Sequence, residues 1–499
     1  MALVFISAAY FHGGAASNQN ARLDAVFGFV EPGPHHGTFR IDRFLLSPER
    51  DINTADWARA GDHYYANKAP GSILLGAAIY TVVYAIERVL CVSAGRNSGM
   101  LQLFNAYMIN VGVSALALAV LALCMFRLLR VRASPLAAAL LSLGACLGTG
   151  LFPYATQLWG HVTAAAFVML GLYALRDTGE RAAFWGALWL GAAVVVDYLA
   201  IIAAIGLVAA RAIQRPRELT NLVFGASPAA AVLLLYQWLC FGSPWTLATS
   251  ASNPMYLDPK RALGIFGAPD LGALWQLTFG LQRGLFVQMP VLLLTLVGIG
   301  SWWRRTPRDP WLWTHLGAWL SALLAVACFN GWHGGASVCA RYMLPFLPLL
   351  LVALRELDWT RRNALLALGL GGLSVFNMLA IAAVNPLCPD AHPNPLYDYT
   401  YGMLFAGHVA PYPFPIRLLQ LDPHWHELRQ WAMWNWGEWL GLRGASSLLP
   451  LLAAWLLGAI ALWSSVLPKR DAPLKQLATR EPGSNLAEPA QLPRPSRDN

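Results

Sequence analysis

The feature that most constrains this chain is a series of apolar stretches, each close to the length that crosses a lipid bilayer. Residues 101–126, 219–240 and 363–384 are examples, and none of them contains a charged residue. A helix needs about 20 apolar residues to span the hydrocarbon core. Hydrophobic residues make up 57% of the 499-residue chain, and the mean hydropathy is +0.47. This content exceeds that of soluble domains. The sequence therefore predicts an all-α polytopic membrane protein.

The basic residues lie in short clusters between the apolar stretches, as at Arg127, Arg130 and Arg132. The formal net charge is +9. Clusters of this kind mark cytoplasmic ends of membrane helices, so the charge indicates topology and argues against a nucleic-acid partner. When every cluster is placed in the cytoplasm, the pattern predicts about twelve spans with both chain ends inside.

Two apolar segments do not fit a simple crossing. Residues 69–92 are interrupted by Glu87 and Arg88, and the topology requires both of their ends outside. We therefore predict an interfacial or re-entrant helix there. Residues 182–210 carry Asp197 in the middle, which predicts two short helices, with Asp197 paired inside the bundle or placed at the break.

The predicted domain plan has one transmembrane domain, residues 1–466, and a short tail. A first extracytoplasmic loop covers residues 17–100 and includes the interfacial helix, and a late extracytoplasmic loop covers residues 385–444. The tail, residues 467–499, is polar, rich in proline and without periodicity. Such composition predicts a disordered cytoplasmic segment.

The carboxylates concentrate in the first outer loop, although only 12% of the chain is charged. Residues 17–71 contain Asp24, Glu31, Asp42, Glu49, Asp51, Asp56, Asp62 and Lys68. The segment ends in HYYANKAPG, where Tyr64 and Tyr65 precede the lysine. A carboxylate-rich loop at a membrane face supplies a general base or a phosphate or metal contact, or it is only a solvated connection.

Other polar residues are predicted on the same face of the membrane. They are His161, Arg283 and Arg341, each in or beside an extracytoplasmic loop. Arginine binds phosphate through bidentate hydrogen bonds, so this face suits an anionic, lipid-linked substrate at headgroup level. Plainer interpretations stand beside this one: Lys68 and His161 as interfacial anchors, and Arg341 as the residue that closes a helix end.

Several short motifs share one order along the chain. They are a short first helix, NQNAR (Asn18–Arg22), YANKAPG, GSP (Gly242–Pro244), RGLF (Arg283–Phe286) and WHGGASVCARYMLP (Trp332–Pro345). In this layout the chain resembles the GT-C membrane glycosyltransferases. It is most similar to the family-39-like protein mannosyltransferases and aminoarabinose transferases, which use polyprenyl-phosphate sugars. The resemblance implies a GT-C-like bundle of about 10–12 transmembrane helices.

The chain departs from this family at positions that are commonly acidic. Gln19 and Asn20 follow the first helix, Asn67 precedes the closing lysine, and His161 ends the motif WGH. The catalytic role therefore does not carry over directly and falls on acids that remain. Asp56 and Asp42 are the candidates, followed by Asp62.

The resemblance implies transfer of a sugar from a polyprenyl-phosphate donor to an extracytoplasmic glycan, lipid or protein acceptor. The enzyme would be integral to the bacterial inner membrane, in contact with its lipids, with the active site on the extracytoplasmic side. Asp56 or Asp42 would be the base. The substrate-binding residues would be Lys68, Tyr64, Tyr65, Arg22, His161, Arg283 and Arg341. No organic cofactor is implied, and the need for a divalent metal ion is left open.

Two other classes of protein also fit a polytopic chain. A lipid or sugar transporter would carry internal repeats and charges along a mid-membrane path, of which Asp197 is the one conspicuous example. A polysaccharide ligase or polymerase that uses an undecaprenyl-linked donor would carry its catalytic loop late in the chain. The loop 385–444 keeps that class open through Asp390, His392, Asp398, His424 and His426.

Overall fold

The computed structural model describes residues 1–14, 16–45, 54–91, 99–179, 181–389, 392–409 and 433–466. The described part is mostly helical, as the hydropathy pattern predicts. The helices are α1 (Ala2–Ala9), α2 (Ser17–Val30), α3 (Asp42–Leu45), α4 (Gly71–Val89), α5 (Gly99–Asn110), α6 (Leu116–Leu129), α7 (Pro135–Leu147), α8 (Leu151–Tyr154), α9 (Gly160–Leu175), α10 (Ala182–Val196), α11 (Ile201–Gln214), α12 (Leu219–Phe241), α13 (Leu271–Thr278), α14 (Leu285–Gln288), α15 (Leu293–Arg305), α16 (Pro310–Ala327), α17 (Leu347–Leu351), α18 (Arg361–Val384), α19 (Gly402–Phe405), α20 (Trp436–Trp439) and α21 (Leu449–Val466).

Five helical stretches among the described residues are long and apolar enough to cross a membrane. They are Gly71–Val89, Phe104–Leu129, Pro216–Phe241, Arg361–Val384 and Gly444–Ser464. Shorter apolar helices of 10–17 residues include α7, α9 and α10. This arrangement confirms the all-α membrane class. The figure of twelve spans, the direction of each crossing and the cytoplasmic tail stay predictions, and residues 467–499 lie outside the described part.

Helix α4 covers the segment predicted as an interfacial or re-entrant helix, and whether it crosses the membrane or lies at its interface stays a prediction. It is one unbroken helix of 19 residues, and it is among the helices long enough to span. At 1.5 Å per residue its length is about 28 Å, close to the thickness of the hydrocarbon core. Glu87 and Arg88 lie in its last turn and do not interrupt it. Glu87 and Arg88 therefore mark the C-terminal end of α4 and not a break within it.

The start of the predicted first outer loop is a buried helix, α2. Twelve of its 14 residues are buried, including Asn18, Gln19 and Asn20. The Gln19 side chain donates to the carbonyl of Gly14 at 3.0 Å and accepts from the backbone N–H of Leu158 at 2.9 Å. The sequence pattern predicted a loop because the segment is polar. Hydrogen bonds to distant parts of the chain, such as those of Gln19, satisfy these polar side chains and allow the helix to be buried.

Four short strands pair in the described residues. Strand β1 (Phe11–His12) pairs antiparallel with β4 (Trp434–Asn435), which joins the N-terminal segment to the end of the late loop. Strands β2 (Trp57–Ala60) and β3 (His63–Ala66) form a hairpin inside the predicted first outer loop. Gly61, at φ 59°, begins its two-residue turn, a left-handed conformation that glycine adopts without strain.

The segment 182–214 is two helices with a break at Asp197, as predicted. The Asp197 side chain accepts from the backbone N–H of Leu199 at 3.1 Å and so caps the short 3-10 helix Tyr198–Ala200 that leads into α11. Helices α9, α10 and α12 pack closely around this break. At Gly225 in α12, an added Cβ would lie 2.2 Å from the carbonyl oxygen of Phe184, so only glycine permits this approach.

Candidate active site

The hairpin β2–β3 brings together the first two residues of the candidate site. Its register pairs Trp57 with Ala66, so the residues just outside each strand also lie side by side. Lys68 Nζ is 3.1 Å from Asp56 Oδ2, and the Asn67 N–H donates to the Asp56 carbonyl at 3.1 Å. Both Asp56 and Lys68 were singled out from sequence, and the structure brings them into contact.

Asp56 is buried, and its charge depends on nearby cations. Burial by itself would raise the pKa of Asp56, but Lys68, then Arg341 and Arg22, together hold the pKa below its ordinary value. The carboxylate is therefore ionised at neutral pH in spite of its burial. An ionised carboxylate among cations is a proton acceptor next to groups that bind anions.

Contacts with two distant segments fix the backbone around Asp56. The hydroxyl of Thr54 donates to the Ser17 carbonyl at 2.7 Å and accepts from the Asp56 N–H at 3.0 Å. On the other side, the Asn253 N–H donates to the Trp57 carbonyl at 2.9 Å. The same loop places Tyr256 near Asp56, where burial, and then the Asp56 carboxylate, raise the pKa of the phenol.

Arg22 faces this cluster from α2. Its Nε donates to Ser72 Oγ at 3.0 Å, and its guanidinium also bonds to the carbonyl of Asn18, at 2.9 Å, and to the Asn18 side chain. Burial lowers the pKa of Arg22 to about 10, an effect that Asp197 and Asp56 partly offset. The spacing of Asn18 and Arg22 in NQNAR thus places both side chains on one helical face.

Arg341 lies between two aromatic rings. Its guanidinium carbon is 4.4 Å from the ring centroid of Trp159 and 5.0 Å from that of Tyr342, whose hydroxyl accepts from Nη2 at 3.2 Å. Its buried Nε has no hydrogen-bond partner among the described residues. Stacking therefore orients the arginine and leaves donor capacity for an anion.

His161, at the start of α9, pairs with the acid at the helix break. Its Nδ1 is 2.6 Å from Asp197 Oδ2; the His161 side chain is buried and that of Asp197 is partly buried. The ring lies edge-on to Tyr342, with centroids 5.6 Å apart, and also against Trp159. The pair therefore borders the same aromatic surface as Arg341. The sequence marked His161 and Asp197 separately.

Arg283 takes a different position from the phosphate contact predicted for it. The buried guanidinium donates to the backbone carbonyls of His333 at 2.6 Å, Gly335 at 2.9 Å and Gln282 at 2.9 Å. The bonds to His333 and Gly335 hold the turn that precedes Arg341 in the chain. We therefore assign Arg283 to positioning that turn.

Asp42, the second candidate base, contacts the hairpin at strand β3. Its carboxylate accepts from the Tyr64 N–H at 2.7 Å and lies 3.1 Å from His63 Nδ1 and 3.7 Å from His35 Nε2. These partners use both carboxylate oxygens to anchor the β2–β3 hairpin. Asp62, the third candidate, is fully exposed in its side chain at the hairpin turn, 3.8 Å from Arg59.

The two tyrosines of HYYANKAPG pack outward from Asp56. The ring of Tyr64 lies edge-on to Trp57, with centroids 5.2 Å apart. The ring of Tyr65 packs against Tyr236 and Phe241 near the end of α12. Their described contacts dock the hairpin on the helical bundle, and the structure does not bring them to the Asp56–Lys68 pair.

The site also contains residues that sequence reasoning did not assign to it. Trp159, Tyr256 and Tyr342 line it, and Asp197 completes the pair with His161. Tyr342 belongs to the motif ARYMLP and Trp159 to the motif WGH. Their proximity in sequence to Arg341 and His161 could have indicated that they line the site. Tyr256 carried no such signal, because only the fold places its loop against the hairpin.

No metal centre is formed by the residues that the structure describes, since no three His, Cys, Asp or Glu side chains group closely enough to hold an ion. Three of the residues singled out in the late loop lie outside the described residues: Asp390, His424 and His426.

Fold and site together define a helical membrane protein with a buried cluster of acids and arginines beside its helix ends. The comparisons with known proteins add no name to this class. No family model and no curated protein matches the chain.

Proposed function

We propose that this chain is a membrane glycosyltransferase that transfers a sugar from a polyprenyl-phosphate donor to an extracytoplasmic glycan, lipid or protein acceptor. The observation that carries the proposal is the ion pair of buried Asp56 with half-buried Lys68, with Arg22 and Arg341 acting on the same carboxylate. Residues of the motifs NQNAR, YANKAPG and ARYMLP, which resemble those of the GT-C enzymes, supply the three cations Arg22, Lys68 and Arg341, and Asp56 lies outside these motifs.

The proposed reaction is an inverting displacement. The acceptor hydroxyl attacks the anomeric carbon while Asp56 takes its proton, and the bond from that carbon to the phosphate oxygen breaks. The electron pair leaves with the polyprenyl phosphate, which thereby gains one negative charge. Lys68 and Arg341 stabilise that developing charge, and such preorganised cations act most strongly in a site that excludes water.

The packing of the hairpin against an apolar helix long enough to span the membrane supports a lipid-linked donor over a soluble one. The hairpin that carries Asp56 packs through Tyr65 on the end of α12, which lies in one of the stretches long enough to span. A site held at a helix end lies near headgroup level, where a polyprenyl phosphate presents its anion. The proposal places this site on the extracytoplasmic face of the bacterial inner membrane.

A transfer assay tests the proposal directly. Purified protein in lipid vesicles is incubated with polyprenyl-phosphate hexoses or aminosugars and with membrane extract as acceptor, and products are identified by mass spectrometry. Transfer that is lost in Asp56→Asn supports the proposal. Transfer from polyprenyl-diphosphate oligosaccharides alone would favour a ligase or polymerase, and movement of label across the vesicle without any product would favour a transporter.

A further inference from the structure

His161 uses one ring nitrogen and leaves the other without a partner. Nδ1 is held by Asp197 at 2.6 Å, whereas the buried Nε2 has no hydrogen-bond partner among the described residues. A buried ring nitrogen without a partner is costly, because desolvation is not repaid by a hydrogen bond. Such an atom in a polar cluster indicates a site for a bound ligand.

A second buried nitrogen without a partner lies on the same aromatic surface. Arg341 Nε has no hydrogen-bond partner in the described part of the chain, and its guanidinium covers the Trp159 ring at 4.4 Å. Trp159 and Tyr342 each contact both the His161 ring and the Arg341 guanidinium. Two nitrogens that can donate to one anion therefore share one pair of rings.

We propose that His161 binds the phosphate of the lipid donor as an imidazolium, with Asp197 as its counter-ion, and that the site takes up a proton when the phosphate binds. This inference rests on the proposed function and adds His161 to the residues that bind the donor phosphate. His161 and Arg341 would then contact phosphate oxygens from one side, with Lys68 on the side of Asp56.

The charges around His161 explain why protonation would follow binding. Burial holds the pKa of His161 below its ordinary value; Asp197 favours the imidazolium, whereas the cations Arg341 and Arg22 oppose it. The ring of Tyr342 packs edge-on against the His161 ring. A bound phosphate offsets the two arginine charges and leaves Asp197 as the dominant neighbour. Opposite charge favours the protonated imidazole, so anion binding and proton uptake are coupled.

Equilibrium binding of farnesyl methyl phosphate tests this coupling. This phosphodiester keeps one negative charge, so pH-dependence must come from the protein. The full chain in detergent micelles should bind it about ten- to a hundredfold more tightly at about pH 5.5 than at about pH 8. His161→Gln and Asp197→Asn should remove most of that difference. His408→Gln, at an exposed histidine of the late loop, is the matched control and should keep it.

The outcomes separate this inference from the proposed function. Binding that is independent of pH, or pH-dependence that His161→Gln retains, would overturn the role of His161 and leave the glycosyltransferase proposal standing. Absence of binding at both pH values would overturn the lipid-phosphate site itself and with it both proposals. Inorganic phosphate bound as tightly as the phosphodiester would overturn the assignment to a lipid ligand. Thermal unfolding of each variant confirms that it is folded.

Discussion

Lys68 Nζ lies 3.1 Å from Asp56 Oδ2, and the register of the β2–β3 hairpin sets this contact. The pair turns a buried carboxylate, which burial would tend to protonate, into an ionised one. In the proposed reaction the lysine thus has two tasks. It keeps Asp56 ready to accept a proton, and it stands beside the departing phosphate.

Replacing Lys68 with methionine should raise the pKa of Asp56, because burial is then opposed only by Arg341 and Arg22. The acid limb of the pH–rate profile should move to higher pH, and phosphodiester binding should weaken about tenfold or more. The measurement is the rate of sugar transfer across pH. Lys260→Met changes an exposed lysine four residues after Tyr256 and serves as the control. An unmoved acid limb would show that Lys68 does not govern Asp56.

The same ion pair predicts the direction of the pH effect on stability. The pKa of Asp56 is lower in the folded protein, so its stabilising contribution is present above the ordinary value near 3.9 and is lost as pH falls through the folded value. Thermal unfolding of the parent should therefore lose more stability on acidification below about pH 4 than Asp56→Asn does. Equal losses in the two proteins would contradict this.

Asp42→Asn should act on stability and not on chemistry. The Asp42 carboxylate accepts from the Tyr64 N–H and pairs with His63, and the variant weakens these bonds by about 1.5–3 kcal/mol. We expect a lower unfolding temperature and a near-parent transfer rate per folded molecule. Loss of transfer with unchanged unfolding would instead place the base at Asp42.

Arg283→Met should loosen the turn before Arg341. It removes three hydrogen bonds to backbone carbonyls from a charged donor, which should destabilise the protein by at least about 3 kcal/mol. Phosphodiester binding should weaken as well, because Arg341 depends on that turn. Arg261→Met, at a partly exposed arginine paired with Asp258, is the control. A variant of parent stability would argue that the turn is held by other contacts.

Labelling of single cysteines should establish the orientation. With exposed Cys91 changed to serine, an impermeant maleimide should label Lys260→Cys from the extracytoplasmic side and Arg308→Cys only after the membrane is opened. Both native residues are exposed, so access depends on side alone. Labelling of position 308 from outside would reverse the topology on which the extracytoplasmic site rests.

The parts of the fold that sequence predicted well are single apolar runs with clear ends. Residues 219–240 and 363–384 match α12 (Leu219–Phe241) and α18 (Arg361–Val384) within two residues. The break at Asp197 was also predicted, because a carboxylate in mid-helix is costly in a membrane. Helix α2 was missed, since its polar face is buried through hydrogen bonds to distant segments such as that of Gln19 to Leu158.

The sequence predicted most of the individual site residues but not which of them contact each other. Asp56, Lys68, Arg22 and Arg341 were all named, yet the contact of Asp56 with Lys68 depends on a hairpin that lacks the regular apolar alternation of a strand. His161 and Asp197 are 36 residues apart and meet only because α9 packs beside the helix break. Pattern within one segment carries no information on such pairings.

The most direct test of the central claim is sugar transfer by Asp56→Asn, measured together with donor binding in vesicles. The change keeps the shape of the side chain and removes the proton acceptor, so transfer should fall about 10²- to 10⁴-fold while donor binding persists. Asp62→Asn, at the exposed hairpin turn, should transfer at the parent rate. Transfer by Asp56→Asn at the parent rate would contradict the account, and the same result with Asp42→Asn would move the search for the base to the loop 385–444.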